Sequence, residues 1–315
     1  MPSDSEVDLG MSFEQQFDIV NFLRESTNKE IENEAAYFRT SPNIIFLPGG
    51  FQFVRHVRGY FSMGSVVLAW AYNSYIIPKL VLFPLWNDGY LSWFPVFAFC
   101  FLAFATGSLL FRSISSDPGR IPFDTRPTSA DKMNWTHCQR CLIQRPLKSH
   151  HCSKCQRCVR KMDHHCPWVN NCIGEDNQWL FLLLVFYGSL LSLFGLTVDI
   201  LYFYVFPKCL SCPRDSFFFV HQQFLMYGVF ISGCGLLFVC STQTITQSAN
   251  IILDKTTVES LIFARKRLPD RPTDDSTSYQ KFRIVCGPGP VWRWFNPFRR
   301  KRWKANFVYQ QHQEV

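Results

Sequence analysis

Charged residues are missing from four long stretches of this chain, and their absence restricts the class of protein. About 20 apolar residues are enough for a helix to cross a bilayer. One such stretch could be a buried core helix, but four in 315 residues, with tryptophans at several edges, favour membrane spans over a soluble globular protein. The charge-free stretches are residues 59–78, 92–111, 179–198 and 224–245.

The first fifty residues lack the apolar core of a signal peptide and are acidic instead. We therefore expect no cleavable signal, and we expect residues 1–58 to form an extension before the first span.

Lys and Arg are almost missing from the two short loops that join spans one and two and spans three and four. Residues 1–58 hold 5 of them, residues 112–178 hold 11 and residues 248–315 hold 13, out of 32 in the chain. The positive-inside rule then predicts that both termini and the long central loop face the cytosol. The net charge of +8 fits attraction to anionic lipid on that side, so we expect no nucleic-acid partner.

Together these patterns predict an all-α polytopic membrane protein in five parts. The parts are a cytosolic N-terminal extension (1–58), spans one and two (59–111), a cytosolic domain (112–178), spans three and four (179–245) and a cytosolic C-terminal region (246–315).

The central loop concentrates the residues that bind metal ions. Residues 138–174 hold seven of the thirteen cysteines and four of the eight histidines, many of them two residues apart. Free thiols persist on the reducing side of a membrane, where this spacing indicates zinc.

Counting ligands leaves one cysteine over. Two closed four-ligand zinc sites need eight ligands, which six cysteines and two histidines would supply. If Cys166 is the spare thiol, His164 could take its proton and Asp163 could orient the imidazole, which is the arrangement of an activated nucleophile. The residues alone do not decide this, since Cys166 could be a ligand and another cysteine the spare one.

The stretch Asp163-His164-His165-Cys166, with Arg145-Pro146 before it and Asn171-Cys172-Ile173-Gly174 after it, resembles the cysteine-rich domain of the DHHC protein S-acyltransferases. The resemblance implies two interleaved structural zinc ions, with Cys166 as the acylated nucleophile, His164 as its base and Asp163 as the orienting carboxylate. The implied ligand sets are Cys138, Cys141, His151 and Cys158 for one zinc, and Cys152, Cys155, His165 and Cys172 for the other.

Three further segments extend the resemblance from about Phe53 to the C-terminus. An Asp-Pro-Gly follows the second span at 117–119, and a Thr-Thr-Val-Glu follows the fourth at 256–259. A third segment at 282–287 resembles the family's C-terminal motif but has Cys286 where members carry Phe. Lys281, directly before it, stands where many members carry Asn. Within the family, the short loops are most like its smallest animal member.

The resemblance also implies which residues meet substrates, each with a simpler structural alternative. Arg145 and Lys148 would face the phosphates of acyl-CoA, unless they belong to a solvated basic loop. Trp168 would pack near the first acyl carbons, unless it is a structural tryptophan at the membrane interface. Leu191 would lie near the closed end of an acyl cavity, unless it only packs within its span. Thr257 would lie beside Asp163.

The implied function is transfer of a palmitoyl or similar acyl group from acyl-CoA, through Cys166, to cytosolic cysteines of membrane-associated proteins. The resemblance implies a Golgi or plasma-membrane location, with the endoplasmic reticulum as an alternative. Two other functions stay open: a zinc-domain membrane adaptor without catalysis, and a thioester hydrolase that uses the same thiol. A ring-type ubiquitin ligase is excluded by the ligand spacing.

Overall fold

The computed structural model describes residues 43–48, 51–121, 135–207, 212, 215–267 and 276–299. Most of the predicted N-terminal extension and the last residues of the C-terminal region lie outside these ranges.

Within the described part of the chain, four helices are long and apolar enough to cross a membrane. They fit an integral membrane protein, and a cysteine-rich zinc-binding region lies between the second and the third. The predicted fold class is therefore confirmed. The four candidate spans are Val57–Asn87, Trp93–Ser115, Gln178–Tyr204 and Gln222–Ile252.

The first span is longer than the sequence predicted. Helix α1 (Val57–Ile77) continues through a π-helical segment (Pro78–Leu82) into the short helix α2 (Phe83–Asn87). Residues 79–87, expected in a loop, are thus helical. Pro78 begins the π-helical segment, and a second proline lies in the first turn of α2. Each proline lacks the N–H that a regular helix would use there, so the irregular segment coincides with an interruption of the helical hydrogen bonds.

The remaining spans pack around helix α4 (Gln178–Tyr204), which makes its largest contacts with α3 (Trp93–Ser115) and with the fourth span. The fourth span is helix α6 (Gln222–Ile252), and the single-turn helix α5 (Phe217–Val220) precedes it. Small residues permit the close approach: a side chain at Gly188 would meet Cys240, and one at Gly233 would meet Leu196.

Short antiparallel hairpins, which the sequence did not predict, form the region between α3 and α4. In each of its three hairpins a non-glycine residue with positive φ lies in the turn: Leu142 (57°), Gln156 (54°) and Asn170 (46°). Strands of three residues are too short for an alternating pattern to be visible in sequence. The strand pairs are β3 (Thr136–Cys138) with β4 (Ile143–Arg145), β5 (His150–Cys152) with β6 (Arg157–Val159), and β7 (His164–Cys166) with β8 (Asn171–Ile173).

A fourth hairpin, β1 (Ile44–Leu47) with β2 (Phe51–Val54), precedes α1 and joins it to this region. The side chain of Asn170 donates to the Val54 carbonyl at 2.8 Å, and Arg157 donates to Gln52 at 2.7 Å in a buried contact. The chain ends its described part with helices α7 (Thr257–Lys266) and α8 (Ser278–Cys286) and a 3-10 turn (Val291–Phe295).

Candidate active site and metal clusters

Two groups of four cysteine and histidine side chains come together between α3 and α4. In each group the four candidate ligand atoms lie within 4.8 Å of one another. The groups combine residues from different hairpins, so the ligand sets interleave along the chain. Their members are Cys138, Cys141, His151 and Cys158 in the first, and Cys152, Cys155, His165 and Cys172 in the second.

The spacing inside the clusters fits a tetrahedral zinc ion. Ligand sulfurs about 2.3 Å from zinc would be roughly 3.8 Å from each other, and Cys155 Sγ lies 3.4 Å from Cys172 Sγ. His165 Nδ1 lies 3.4 Å from Cys155 Sγ, and His151 Nδ1 lies 3.1 Å from Cys141 Sγ. Three thiols and one imidazole form a donor set typical of structural zinc.

The clustered thiols shift one another's pKa values in opposite directions, because they share hydrogen bonds. Contact with Cys158, helped by His151, lowers the pKa of Cys141 to about 5 although burial opposes it, whereas contact with Cys152 raises the pKa of Cys155 to about 12. A thiolate is the metal-ligating form of cysteine. The donor chemistry and the geometry therefore both suit zinc.

Strand β7 carries His164 and Cys166, and Asp163 directly precedes the strand. The Asp163 Oδ2 atom lies 2.7 Å from His164 Nδ1, which leaves Nε2 of the ring for another partner. Asp163 is fully buried, and the ring of His164 packs edge-on against Phe181 with centroids 5.3 Å apart. Cys166 is also buried, at 1% exposure.

Hydrogen bonding favours the charged forms of both Asp163 and His164. Burial lowers the pKa of His164, but hydrogen bonds with Asp163 and Cys166 outweigh it and raise the pKa to about 9. Burial raises the pKa of Asp163, but the hydrogen bond with His164 and donors from Thr257 and Gln247 outweigh it and hold the pKa below its ordinary value.

Asp163 accepts hydrogen bonds from residues far away in sequence. The backbone N–H of Thr257 donates to Oδ1 at 2.8 Å, and its hydroxyl donates to Oδ2 at 3.1 Å. Gln247 donates to Oδ2 at 2.7 Å, and Asn250 donates to Oδ1 at 3.1 Å. Thr257 thus lies beside Asp163, where the family resemblance had put it.

The segment Thr-Thr-Val-Glu at 256–259 folds as a capping box. Thr256 accepts from the Glu259 N–H at 3.1 Å, and the Glu259 carboxylate accepts from the Thr256 N–H at 3.1 Å. This reciprocal pair satisfies two free N–H groups at the start of α7. It also presents the N–H of Thr257, the first residue of α7, to Asp163.

An apolar cavity lies between the four spans beside this site, since its lining includes Phe181, which packs against His164. Trp168 and Val169, two and three residues after Cys166, line the cavity along with Leu191. Only three polar side chains are among its lining residues, namely Asn73, Thr106 and Ser192. A cavity lined mainly by apolar side chains of four spans suits a hydrocarbon chain.

The two predicted CoA-binding residues lie on the hairpin region but make intramolecular contacts. Arg145 is partly exposed and donates from Nε to the Thr136 hydroxyl at 3.1 Å. Lys148 forms an ion pair with Asp254 at 2.9 Å, which links the hairpin region to the turn before α7. The Arg145 contact leaves its terminal nitrogens for a phosphate, whereas Lys148 would have to share its ammonium with Asp254.

Sequence reasoning missed the residues that orient the site from a distance. Gln247 and Asn250 lie three residues apart in a charge-free helix, a signal that could have pointed to a polar face. Asn171 was noted only as part of a motif, yet its side chain donates to the Ser113 and Ser116 carbonyls at 3.1 and 2.8 Å. It thereby caps the end of α3.

These features define a class of protein: a helical membrane protein whose cysteine-rich zinc-binding region holds a histidine-paired thiol close to an apolar cavity between the spans. Residues 131–263 match the family model described as DHHC palmitoyltransferase. The chain therefore belongs to the DHHC palmitoyltransferase family and is a protein S-acyltransferase.

Individual relatives agree over most of the chain. Palmitoyltransferase ZDHHC21 of Danio rerio is 38% identical over 263 residues, which cover 82% of this chain and 97% of the relative. The Homo sapiens protein of the same name is 35% identical over 79% of this chain and 93% of its own length. Palmitoyltransferase ZDHHC7 of Rattus norvegicus is 31% identical over 77% and 80%. The resemblance found in the sequence is thus confirmed.

Proposed function

We propose that the protein transfers a long-chain acyl group, such as palmitoyl, from acyl-CoA to cysteine thiols of membrane-associated proteins, through a thioester on Cys166. One observation carries the proposal: the Asp163–His164 pair lies beside Cys166, and Trp168, two residues farther along the chain, lines an apolar cavity. A nucleophile and a chain-binding cavity in one place suit acyl transfer.

The first stage forms the acyl-enzyme. His164 takes the proton of the Cys166 thiol, the sulfur attacks the thioester carbonyl of acyl-CoA and forms a new S–C bond, and the bond to the CoA sulfur breaks. His164 then supplies the proton that the leaving CoA thiolate takes up. Asp163, bonded to His164 Nδ1, holds the ring so that Nε2 faces the reacting sulfurs.

The second stage repeats these events with another thiol. His164 accepts the proton of an acceptor cysteine, whose sulfur attacks the acyl-enzyme carbonyl, and Cys166 leaves as the thiolate. One thioester replaces another, so the free energy changes little, and the protein contributes proximity and orientation at the membrane surface.

The zinc ions have a structural role in this proposal. The eight residues of the two clusters would hold them, and zinc, when bound, would cross-link the hairpins that carry Asp163, His164 and Cys166. Both ligand sets are complete without a water or substrate, so the reaction is assigned to the protein side chains.

We assign the phosphates of CoA to Arg145, with Lys148 as a second contact, and the acyl chain to the cavity lined by Trp168 and Leu191. Leu191, from the third span, would limit chain length at the closed end. Thr257 supports Asp163 and contacts no substrate in this assignment.

We further propose that both termini and the hairpin region face the cytosol, in Golgi or plasma membrane. The distribution of Lys and Arg supports this orientation. So does Cys212, in the connection between α4 and α6, which is disulfide-bonded and therefore suits an oxidising compartment. Its sequence neighbour Cys209 lies outside the described residues.

The test is acyl-enzyme formation by the purified full chain. We expect labelled palmitoyl-CoA to label the wild type, hydroxylamine to release the label, and Cys166→Ser to remain unlabelled with its zinc retained. Absence of label on a zinc-loaded wild type would favour a non-catalytic adaptor. Steady release of fatty acid that an acceptor protein does not reduce would favour a thioester hydrolase.

A further inference from the structure

The fourth membrane helix contacts both oxygens of the Asp163 carboxylate. Gln247 and Asn250 lie three residues apart and so share one face of α6. The Gln247 amide donates to Oδ2 at 2.7 Å, and the Asn250 amide donates to Oδ1 at 3.1 Å. The two contacts join residues 84 and 87 positions apart, so they connect the hairpin region to a membrane span.

The orientation of the Gln247 amide is set by its surroundings. Gln247 is fully buried. Its side-chain oxygen accepts from Gln178, in the first turn of α4, at 3.4 Å, so its nitrogen is directed at Asp163. Asn250 is held in a similar way, because its nitrogen also donates to the Thr257 hydroxyl at 2.8 Å.

These contacts determine the plane of the carboxylate. An aspartate side chain turns about two single bonds, and a bond to His164 at Oδ2 alone leaves the plane free to rotate about that contact. Thr257 places a donor on each oxygen, and Gln247 and Asn250 of α6 add a second donor to each, so the plane is held from both elements. The 2.7 Å contact with His164 Nδ1 then persists with the imidazole aimed at Cys166.

We propose that Gln247 and Asn250 are positioning residues of the acyl transfer, which hold Asp163 in the plane that orients His164 and so couple the reacting groups to the fourth span. The inference rests on the proposed function. Neither residue contacts substrate in it; both act through Asp163. Their loss should therefore slow acyl transfer to Cys166 and leave the binding of acyl-CoA unchanged.

The experiment is single-turnover acylation of the full chain over a range of palmitoyl-CoA concentrations. Misplacement of a reacting group by about 1 Å can cost about a hundredfold in rate. We expect Gln247→Met to lower the maximal rate of acylation at least about tenfold and Asn250→Ala to lower it about threefold or more. For both variants, the palmitoyl-CoA concentration that gives half the maximal rate should stay within about twofold of the wild-type value. Gln243→Met, one turn earlier on α6, is the matched control and should react at the wild-type rate.

A second comparison separates positioning from general structural damage. In an Asp163→Asn background, Gln247→Met should lower the residual rate no further, because its effect passes through Asp163. A further fall there, or wild-type maximal rates in Gln247→Met and Asn250→Ala, would overturn the inference. If Gln247→Met loses its zinc, the half-buried Asn250→Ala decides alone.

The two proposals fail in different ways. A wild type that forms no acyl-enzyme counts against the proposed function. A wild type that forms it, alongside Gln247→Met and Asn250→Ala variants that form it equally fast, counts only against this inference.

Discussion

Gly174 occupies a position where the chain has no room for a side chain. A Cβ atom there would lie 2.6 Å from the Pro118 carbonyl oxygen and 2.6 Å from Val159 Cγ1. The Asp117 carboxylate folds the neighbouring turn by accepting from the Gly119 and Arg120 N–H groups at 2.9 and 3.0 Å. The turn after α3 and the end of β8 thus pack backbone against backbone.

We expect Gly174→Ala to destabilise the hairpin region by about 2 kcal/mol or more, because a backbone carbonyl must move. Thermal unfolding in detergent, followed with zinc content, measures the effect. Gly64→Ala is the control, since nothing lies within 4 Å of a Cβ at that position of α1 and alanine favours a helix over glycine. Equal unfolding temperatures for the two variants would contradict the packing argument.

Some hydrogen bonds between residues close in sequence could be predicted from residue identity, and others could not. The capping box at 256–259 is visible in sequence, because its two partners are three residues apart. Lys281 departs from the Asn of many relatives, and sequence alone left its role open. In the structure its ammonium donates to the Ile252 carbonyl at 3.0 Å, so a positive charge stabilises the C-terminal end of α6.

At the scale of elements, one side chain joins the hairpin region to the second span. Asn171 donates to the Ser113 and Ser116 carbonyls at the end of α3. Its oxygen accepts from the Cys172 N–H at 2.9 Å and from Arg157 at 3.2 Å. Strand β8 is therefore held against α3 by a fully buried amide.

We expect Asn171→Asp to release β8 from α3, because a carboxylate keeps the acceptor but faces the α3 carbonyls without a donor. The loss of paired buried carbonyls should cost about 1–3 kcal/mol. Hydrogen exchange would show it as faster exchange in residues 135–177, with α4 and α6 unchanged. Uniform protection in the variant and the wild type would show that other contacts hold the two elements together.

The sequence predicts the membrane spans but not the contacts between distant elements. The spans were predicted because an apolar run is a property of neighbouring residues. The contacts of Gln247 with Asp163 and of Gln52 with Arg157 join residues 84 and 105 apart. Such pairs depend on how separate elements pack, and no local pattern in the chain encodes that packing.

At the scale of the whole molecule, the hairpin region depends on groups outside it and on its two clusters. Its apolar interior is small: one of its clusters of buried residues is half cysteine, with Cys152, Cys155 and Cys172 beside Val54, Val159 and Met162. A region with so little core obtains its folding free energy largely from bound metal.

We expect two zinc ions per chain, and we expect their removal by a strong chelator to abolish acyl-enzyme formation while the helical circular dichroism of the spans persists. Metal analysis gives the stoichiometry, and limited proteolysis should cut residues 135–177 only after chelation. The spans serve as the internal control. A metal-free protein that still resists cleavage there would contradict a structural role for zinc.

The order in which the chain is made gives the Asp163 network a further meaning. Asp163 and Cys166 leave the ribosome about eighty residues before Gln247, Asn250 and Thr257, whose groups complete the carboxylate's hydrogen bonds. A nascent chain with two or three inserted spans therefore carries the thiol without its orienting partners. We therefore expect a chain that lacks the last span to react more slowly with acyl-CoA than the complete protein does.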